Sequence, residues 1–336
     1  MTAAREKGII TMLDHHENFD RGIGALRALG IDTVWEKEII RSSRDPKVVI
    51  PQVRGYQYVF AGGEVWNKEV FDACPEVKMI VRLGVGYDGI DLKAATEAGV
   101  PVTFMPGVNA QSVAEHAVAL ALACARQIPQ MNALVHAAER KKAIYATNMI
   151  SGKTVGIVGC GNIGKAAAKM LSAFGCKILA YDIRRDEAFA EAYGVEYVTL
   201  DELLSRSDIV SLHLALMPET RHIIGAENIA KMKDGAILIN TSRGGVVDSA
   251  ALADAVRTGK LGGAGLDVVE DEGGGNPRPG EIFYGLDNVL LTPHVAGATH
   301  ECFEMMMEHA VEMVRDFKAG KEPKWLLNPD YIKYKK

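Results

Sequence analysis

The chain of 336 residues is poor in cysteine and carries no long run of one charge or of apolar side chains. Its five cysteines, Cys74, Cys124, Cys160, Cys176 and Cys302, are odd in number, and no two stand in CxxC spacing. That argues against a disulfide framework and against a structural zinc site, so the expectation is small buried thiols in a reducing compartment and no metal centre. The formal net charge is −5 with acids and bases interspersed, which leaves no electrostatic footprint for nucleic acid. No apolar stretch is long enough to span a bilayer. The segment Met1–Lys7 runs directly into a short apolar stretch, Gly8–Leu13, without the apolar core of a signal peptide. A cytoplasmic location is therefore expected. There is no short-period repeat.

What is present is an ordinary globular composition, 48% hydrophobic and glycine-rich, in a chain long enough for two domains. Five segments in the first hundred residues are rich in β-branched or apolar side chains: Gly8–Leu13, Thr33–Glu38, Tyr58–Ala61, Met79–Leu83 and Val100–Met105. Helical stretches such as Asn67–Cys74 and Asp91–Ala98 lie between them, the second stopped by Gly99 and Pro101. This rhythm predicts βαβ units and a parallel sheet. Asn109–Gln127 reads as a long Ala-rich helix, apolar nearly all round, which predicts burial between domains or subunits and points to a homodimer. After a polar stretch from Glu139 to Gly152 a second series begins, with strands expected at Thr154–Gly159, Lys177–Asp182, Ile209–Leu214, Ala236–Thr241, Gly263–Val268 and Val289–Thr292. A final helix near Glu301–Lys318 is expected to cross back to the first module, leaving a cleft between two α/β modules.

The second series opens with Thr154-Val155-Gly156-Ile157-Val158 running straight into Gly159-Cys160-Gly161-Asn162-Ile163-Gly164 and then a helix. A strand, a GxGxxG loop and a helix in that order are the context a dinucleotide fingerprint needs. Gly159 permits the tight turn, Gly161 lets backbone approach a pyrophosphate, and Gly164 lets helix and strand pack closely. The helix N-terminus offers N–H donors to phosphate. Asp182 ends the next strand, where a carboxylate accepts the adenosine-ribose hydroxyls and repels a 2′-phosphate. NAD is expected over NADP, although Arg184 and Arg185 keep the second open.

Three motifs follow the fingerprint. Arg243 lies in Asn240-Thr241-Ser242-Arg243-Gly244-Gly245, Glu272 follows Gly265-Leu266-Asp267-Val268-Val269, and His294 ends Leu290-Leu291-Thr292-Pro293-His294. A guanidinium clamps a carboxylate with two parallel bonds, an imidazole moves a proton near neutral pH, and a carboxylate stabilises the imidazolium. Together they describe a site that oxidises the carbinol of a hydroxy acid. Each also has a plainer reading: a surface arginine, a solvated acidic loop with Glu270 and Asp271, a histidine with a backbone partner. The turn Gly84-Val85-Gly86 is either an anion-binding nest of backbone N–H groups or a simple strand end.

The fingerprint and these motifs, with Gly84-Val85-Gly86-Tyr87-Asp88-Gly89-Ile90-Asp91, Ser112-Val113-Ala114-Glu115-His116, Ser211-Leu212-His213-Leu214 and Asn328-Pro329, resemble the D-isomer-specific 2-hydroxyacid dehydrogenase family over nearly the whole chain. The resemblance implies two doubly wound parallel-sheet α/β domains. A Rossmann NAD-binding domain (108–298) would be inserted in a flavodoxin-like substrate domain (1–107 plus 299–336). It implies His294 as general acid/base, Glu272 as its carboxylate partner by spacing, and Arg243 on the substrate carboxylate, with Gly84, Val85 and Gly86 as the other substrate wall. It further implies that Asp267 meets the nicotinamide carboxamide and that Asn162 and Ile163 face the pyrophosphate. Thr241, Ser242, Ala296 and Gly297 would line the nicotinamide pocket, and His213 would lie on the adenosine-ribose side.

Two places depart from the family pattern. Ala61-Gly62-Gly63-Glu64-Val65-Trp66 offers glycines and an acid where many relatives carry a substrate-reaching segment, which disfavours a phosphorylated substrate. The stretch Gly273–Gly280 replaces the usual Glu-Pro sequel, and Arg278 within it has no assigned role. Two other readings stay open: an NAD(H)-responsive corepressor-like interaction protein of the same fold, and a formate- or phosphite-type dehydrogenase. Formate enzymes of the family carry Gln where Glu272 stands.

Overall fold

The computed structural model describes residues 5–12, 17–36, 43–137, 146–270, 272 and 278–335. The described residues divide into two compact units, one made of those within 5–109 and 298–335 and the other of those within 110–272 and 278–297.

In the first unit, β1 (Glu6–Ile10), β2 (Ile31–Trp35), β3 (Tyr58–Ala61), β4 (Met79–Arg82) and β5 (Val102–Thr103) form one sheet in the order β2-β1-β3-β4-β5, every pair parallel. This is the flavodoxin-like order. The apolar runs of β3 and β4 are buried on both faces, as a helix-covered parallel sheet requires. Successive residues face opposite sides. Ile10, Phe60 and Val81 meet Leu26 and Met306, Met307 and Met313 of His300–Lys318, whereas Ile9, Val59 and Ile80 meet Val49, Val70 and Ala95. His300–Lys318 starts at Thr299, whose side chain accepts from Cys302 N. It packs so closely that a Cβ on Gly22 would lie 2.7 Å from Met307.

In the second unit, β6 (Thr154–Val158), β7 (Lys177–Tyr181), β8 (Val195–Tyr197), β9 (Ile209–Leu212), β10 (Ala236–Asn240), β11 (Leu261–Leu266) and β12 (Val289–Leu291) form a seven-stranded sheet, β8-β7-β6-β9-β10-β11-β12, again all parallel. Counted from β6, the order begins 3-2-1-4-5-6, the doubly wound dinucleotide-binding arrangement, and the order reverses between β6 and β9. Strand β8 is unforeseen because its three residues, with Glu196 exposed in the middle, make no apolar run. Strand β11 starts two residues before the expected Gly263.

In the helix Ala110–Arg126, Ala114, Ala117, Ala121 and Ala125 join the core beneath Asn162–Ala173. The next helix, Ile128–His136, has no buried residue and exposes Ile128 and Val135. Part of the polar Glu139–Gly152 stretch lies outside the described residues. Among the described residues, no helix is long and apolar enough to cross a membrane.

Candidate active site

Strand β6 enters the glycine loop through Gly159 at φ +93°, a conformation that side-chain-bearing residues rarely adopt. A Cβ on Gly164 would collide with the Gly159 carbonyl oxygen, so the helix can start against the strand only with glycine there. Gly161 faces open space. It precedes the Asn162–Ala173 helix with no side-chain cap. The first-turn N–H groups of Asn162 and Ile163 are therefore open to an anion.

Asp182 follows β7 at the lip of this loop. Its two carboxylate oxygens accept from Cys160 N at 2.7 Å and Arg184 N at 2.8 Å. The acid is thus fixed beside the glycine loop, while Arg185 stacks toward the Tyr197 ring. At the ends of the neighbouring β9 and β10, His213 Nδ1 and Thr241 Oγ1 are buried without a hydrogen-bond partner. Burial pushes the His213 pKa down to about 4, so that imidazole is neutral. Its Nε2 lies 3.0 Å from Ser211 Oγ. Orphaned polar atoms beside an uncapped helix end, with a carboxylate at the rim, suit a dinucleotide.

The chemical residues leave adjacent strand ends. In register, Asn240 of β10 is opposite Leu266 of β11, and Leu266 is opposite Leu291 of β12. Arg243, Asp267 and His294 follow these three positions. Buried Asn240 shapes the Arg243 turn: its Oδ1 accepts from Ser242 N and Oγ at 3.0 and 2.8 Å, and its Nδ2 donates to Arg243 O at 2.9 Å. Arg243 Nη1 donates to Ser242 O at 2.8 Å. A Cβ on Gly244 would strike the Val269 carbonyl, so this glycine lets the Arg243 turn press against the backbone that leads to Glu272.

His294 Nδ1 lies 2.8 Å from Glu272 Oε2, and Glu272 Oε1 accepts from Val269 N at 2.6 Å. Because a carboxylate only accepts, the ring proton sits on Nδ1 and the basic nitrogen of the neutral ring is Nε2. The His294 side chain is 51% exposed, so the ring is reachable. The acidic run is resolved by geometry. Glu270 turns to His222 at 2.6 Å and Arg221 at 3.5 Å, leaving Glu272 on His294, while Asp271 lies outside the described residues. His222 was not singled out by its sequence context.

Asp267 is held by protein partners. It is 1% exposed and accepts from Thr292 Oγ1, Val295 N and Ala296 N at 2.5, 2.9 and 2.8 Å, so it braces the turn that leads to Gly297.

In the first unit, Gly84 adopts φ +142° and donates its N–H to Arg82 O at 2.9 Å, leaving Val85 and Gly86 as the N–H donors of the expected nest. Arg82 gathers the carbonyls behind it, donating from Nε to Gly86 O at 2.6 Å and from Nη1 to Leu83 O. The acid of the departing loop is not presented outward. Glu64 is 1% exposed and accepts from Thr11 Oγ1 at 2.7 Å and Trp66 Nε1 at 3.0 Å. Its burial pushes the carboxyl pKa up. Gly273–Pro277 lie outside the described residues; Arg278 pairs with Glu281 and stacks over Tyr284.

Residues 118–296 match the family model described as "D-isomer specific 2-hydroxyacid dehydrogenase, NAD binding domain". The chain is 44% identical over 319 residues to the glyoxylate reductase of Korarchaeum cryptofilum, covering 94% of each chain. It is 37% identical over 303 residues to the hydroxypyruvate reductase of Blautia hydrogenotrophica, covering 88% of this chain and 91% of that one. The structure of D-lactate dehydrogenase from Aquifex aeolicus, solved with NAD and lactic acid, superposes with a TM-score of 0.80 at 32% identity, covering 94% of this chain and 96% of that chain. With the glycine loop, the doubly wound order and the whole-length similarity in agreement, the chain belongs to the D-isomer specific 2-hydroxyacid dehydrogenase family, as an NAD-binding oxidoreductase.

Proposed function

We propose that the protein interconverts a small D-2-hydroxy acid and its 2-oxo acid, with His294 as general acid/base, Glu272 as its partner and Arg243 on the substrate carboxylate. The observation that carries this is the 2.8 Å contact between His294 Nδ1 and Glu272 Oε2, with only β11 between the His294 strand end and the Arg243 turn. Residues 108–298 act as the dinucleotide-binding domain and 1–107 with 299–336 as the substrate domain. Gly159, Gly161, Asn162, Ile163 and Gly164 hold the pyrophosphate, and Asp182 holds the adenosine ribose. Thr241, Ser242, Arg243, Asp267, His294 and Gly297 border the nicotinamide. When bound, the nicotinamide accepts the hydride from C2 in oxidation and supplies it in reduction. His294 Nε2 takes the hydroxyl proton in oxidation and returns it in reduction, while Glu272 stabilises the ring's charged form. Arg243 pairs with the substrate carboxylate through two parallel N–H bonds and fixes C2. Val85 and Gly86 are assigned to substrate binding through their N–H groups, with Gly84 shaping the turn at φ +142°.

NAD is favoured over NADP because the Asp182 carboxylate is fixed by two backbone donors at the end of β7. The paired Glu272 and His294 favour a proton-moving enzyme over the corepressor-like and formate-type readings, neither of which needs that pair. Free thiols at all five cysteines support a reducing, cytoplasmic location.

In a steady-state assay against glyoxylate, hydroxypyruvate and pyruvate, NADH is oxidised with at least one acid and is preferred to NADPH. Absence of turnover with every acid would overturn the enzymatic reading in favour of the interaction protein. We also propose a homodimer, supported by the apolar exposure of Ile128 and Val135 on a helix with no buried residue. Light scattering is expected to give twice the protomer mass, and Val135→Glu to lower it; a monomeric wild type would dismiss the proposal.

A further inference from the structure

A short chain of hydrogen bonds runs from the Ala110–Arg126 helix to the turn that carries His294, and none of the roles above uses its first member. Thr292 Oγ1 lies 2.5 Å from Asp267 Oδ1 and 3.0 Å from His116 Nε2. A hydroxyl has one proton to give, and a carboxylate can only accept. The Thr292 proton therefore goes to Asp267, and the Thr292 oxygen accepts from a proton on His116 Nε2. This fixes the polarity of the chain: imidazole N–H to hydroxyl, hydroxyl to carboxylate.

The far end of the chain is where it matters. Asp267 Oδ1 also accepts from Val295 N, and Oδ2 from Ala296 N, so the residues on both sides of His294 hang from one buried carboxylate. His294 itself sits at φ +55°, a left-handed conformation that non-glycine residues adopt only when their surroundings impose it. Its own N–H is held by Asp267 O at 2.9 Å. The imidazole of His116 comes from a helix packed into the core of its unit and is 24% exposed, so the donor is delivered from a firm base.

We propose that His116 is a positioning residue of the active site. By donating to Thr292, whose proton the Asp267 carboxylate takes, it holds the Thr292–Ala296 turn in the geometry that presents the His294 ring. The inference rests on the reading of His294 as general acid/base.

The test compares His116→Leu, which keeps the bulk and loses the donor, with His116→Gln, whose amide can reach Thr292. Each is also made in a Thr292→Val background. His116→Leu is expected to lower kcat about tenfold while the KM for the 2-oxo acid and the NADH affinity change by less than about twofold. His116→Gln restores most of the rate. In the Thr292→Val background His116 Nε2 keeps only its 3.6 Å contact with Asp267 Oδ1, so the gap in kcat between the two variants shrinks to less than about twofold. Equal rates for the Leu and Gln variants, or a loss that persists undiminished without the Thr292 hydroxyl, would reduce His116 to a packing residue. Should His116→Leu fail to fold, His116→Asn takes its place: its shorter amide stops short of Thr292, and it must reproduce the fall in kcat. His294→Ala, run in parallel, separates the two levels. Full activity there sinks the reading of His294, whereas its collapse beside an unaffected His116→Leu sinks only the role of His116.

Discussion

His294→Ala is expected to lower kcat by about 10²–10⁴-fold, the usual contribution of a positioned acid/base. Its NADH affinity should be close to that of the wild type. The imidazole is held by Glu272 on one nitrogen and is half exposed, so little packing is lost on truncation. The glycine loop and Asp182 lie at the β6 and β7 strand ends, several strands from β12. Fluorescence titration with NADH and single-turnover kinetics separate the two effects. A variant that turns over within about tenfold of wild type would show that proton transfer does not pass through this ring.

Arg243→Lys is the second large effect. A lysine keeps the charge but cannot present two parallel N–H groups to a carboxylate, and one charge-assisted bond is worth about 1.5–3 kcal/mol. A fall in kcat/KM of about 10–100-fold is expected, shared between a higher KM and a lower kcat. The present geometry adds a second reason. Arg243 Nη1 is anchored on its neighbour's carbonyl, Ser242 O, which orients the guanidinium plane before any substrate arrives. A lysine ammonium offers no such plane. Thermal stability should scarcely change, because Arg243 is only partly buried. Wild-type kinetics in this variant would remove Arg243 from the substrate carboxylate.

The parallel strands were legible because β3, β4, β6, β9 and β10 are short apolar runs bounded by turn residues, a pattern that both faces of a covered sheet impose. Legible for the same local reason were Gly159 and Gly164: a left-handed turn and a collision with backbone both demand a residue without Cβ. Strand β8 was not legible, since three residues with a solvated glutamate in the middle carry no period. The sequence of the Ala61–Trp66 loop offers its acid as an outward charge. Its burial among Thr11 and Trp66 depends on partners up to 53 residues away.

The sequence by itself determined the alternation of strands and helices, the nucleotide loop and the small set of side chains able to move a proton or clamp a carboxylate. These depend on period, turn chemistry and functional-group chemistry, all of which are local. Only the tertiary structure decided that Glu270 serves His222, leaving to His294 the Glu272 that the family spacing implies, and that Asp267 ties Thr292, Val295 and Ala296 together. The physical reason is register. Asn240, Leu266 and Leu291 become neighbours through interstrand hydrogen bonds, and the turns beyond them meet at distances of about 3 Å that no spacing along the chain encodes.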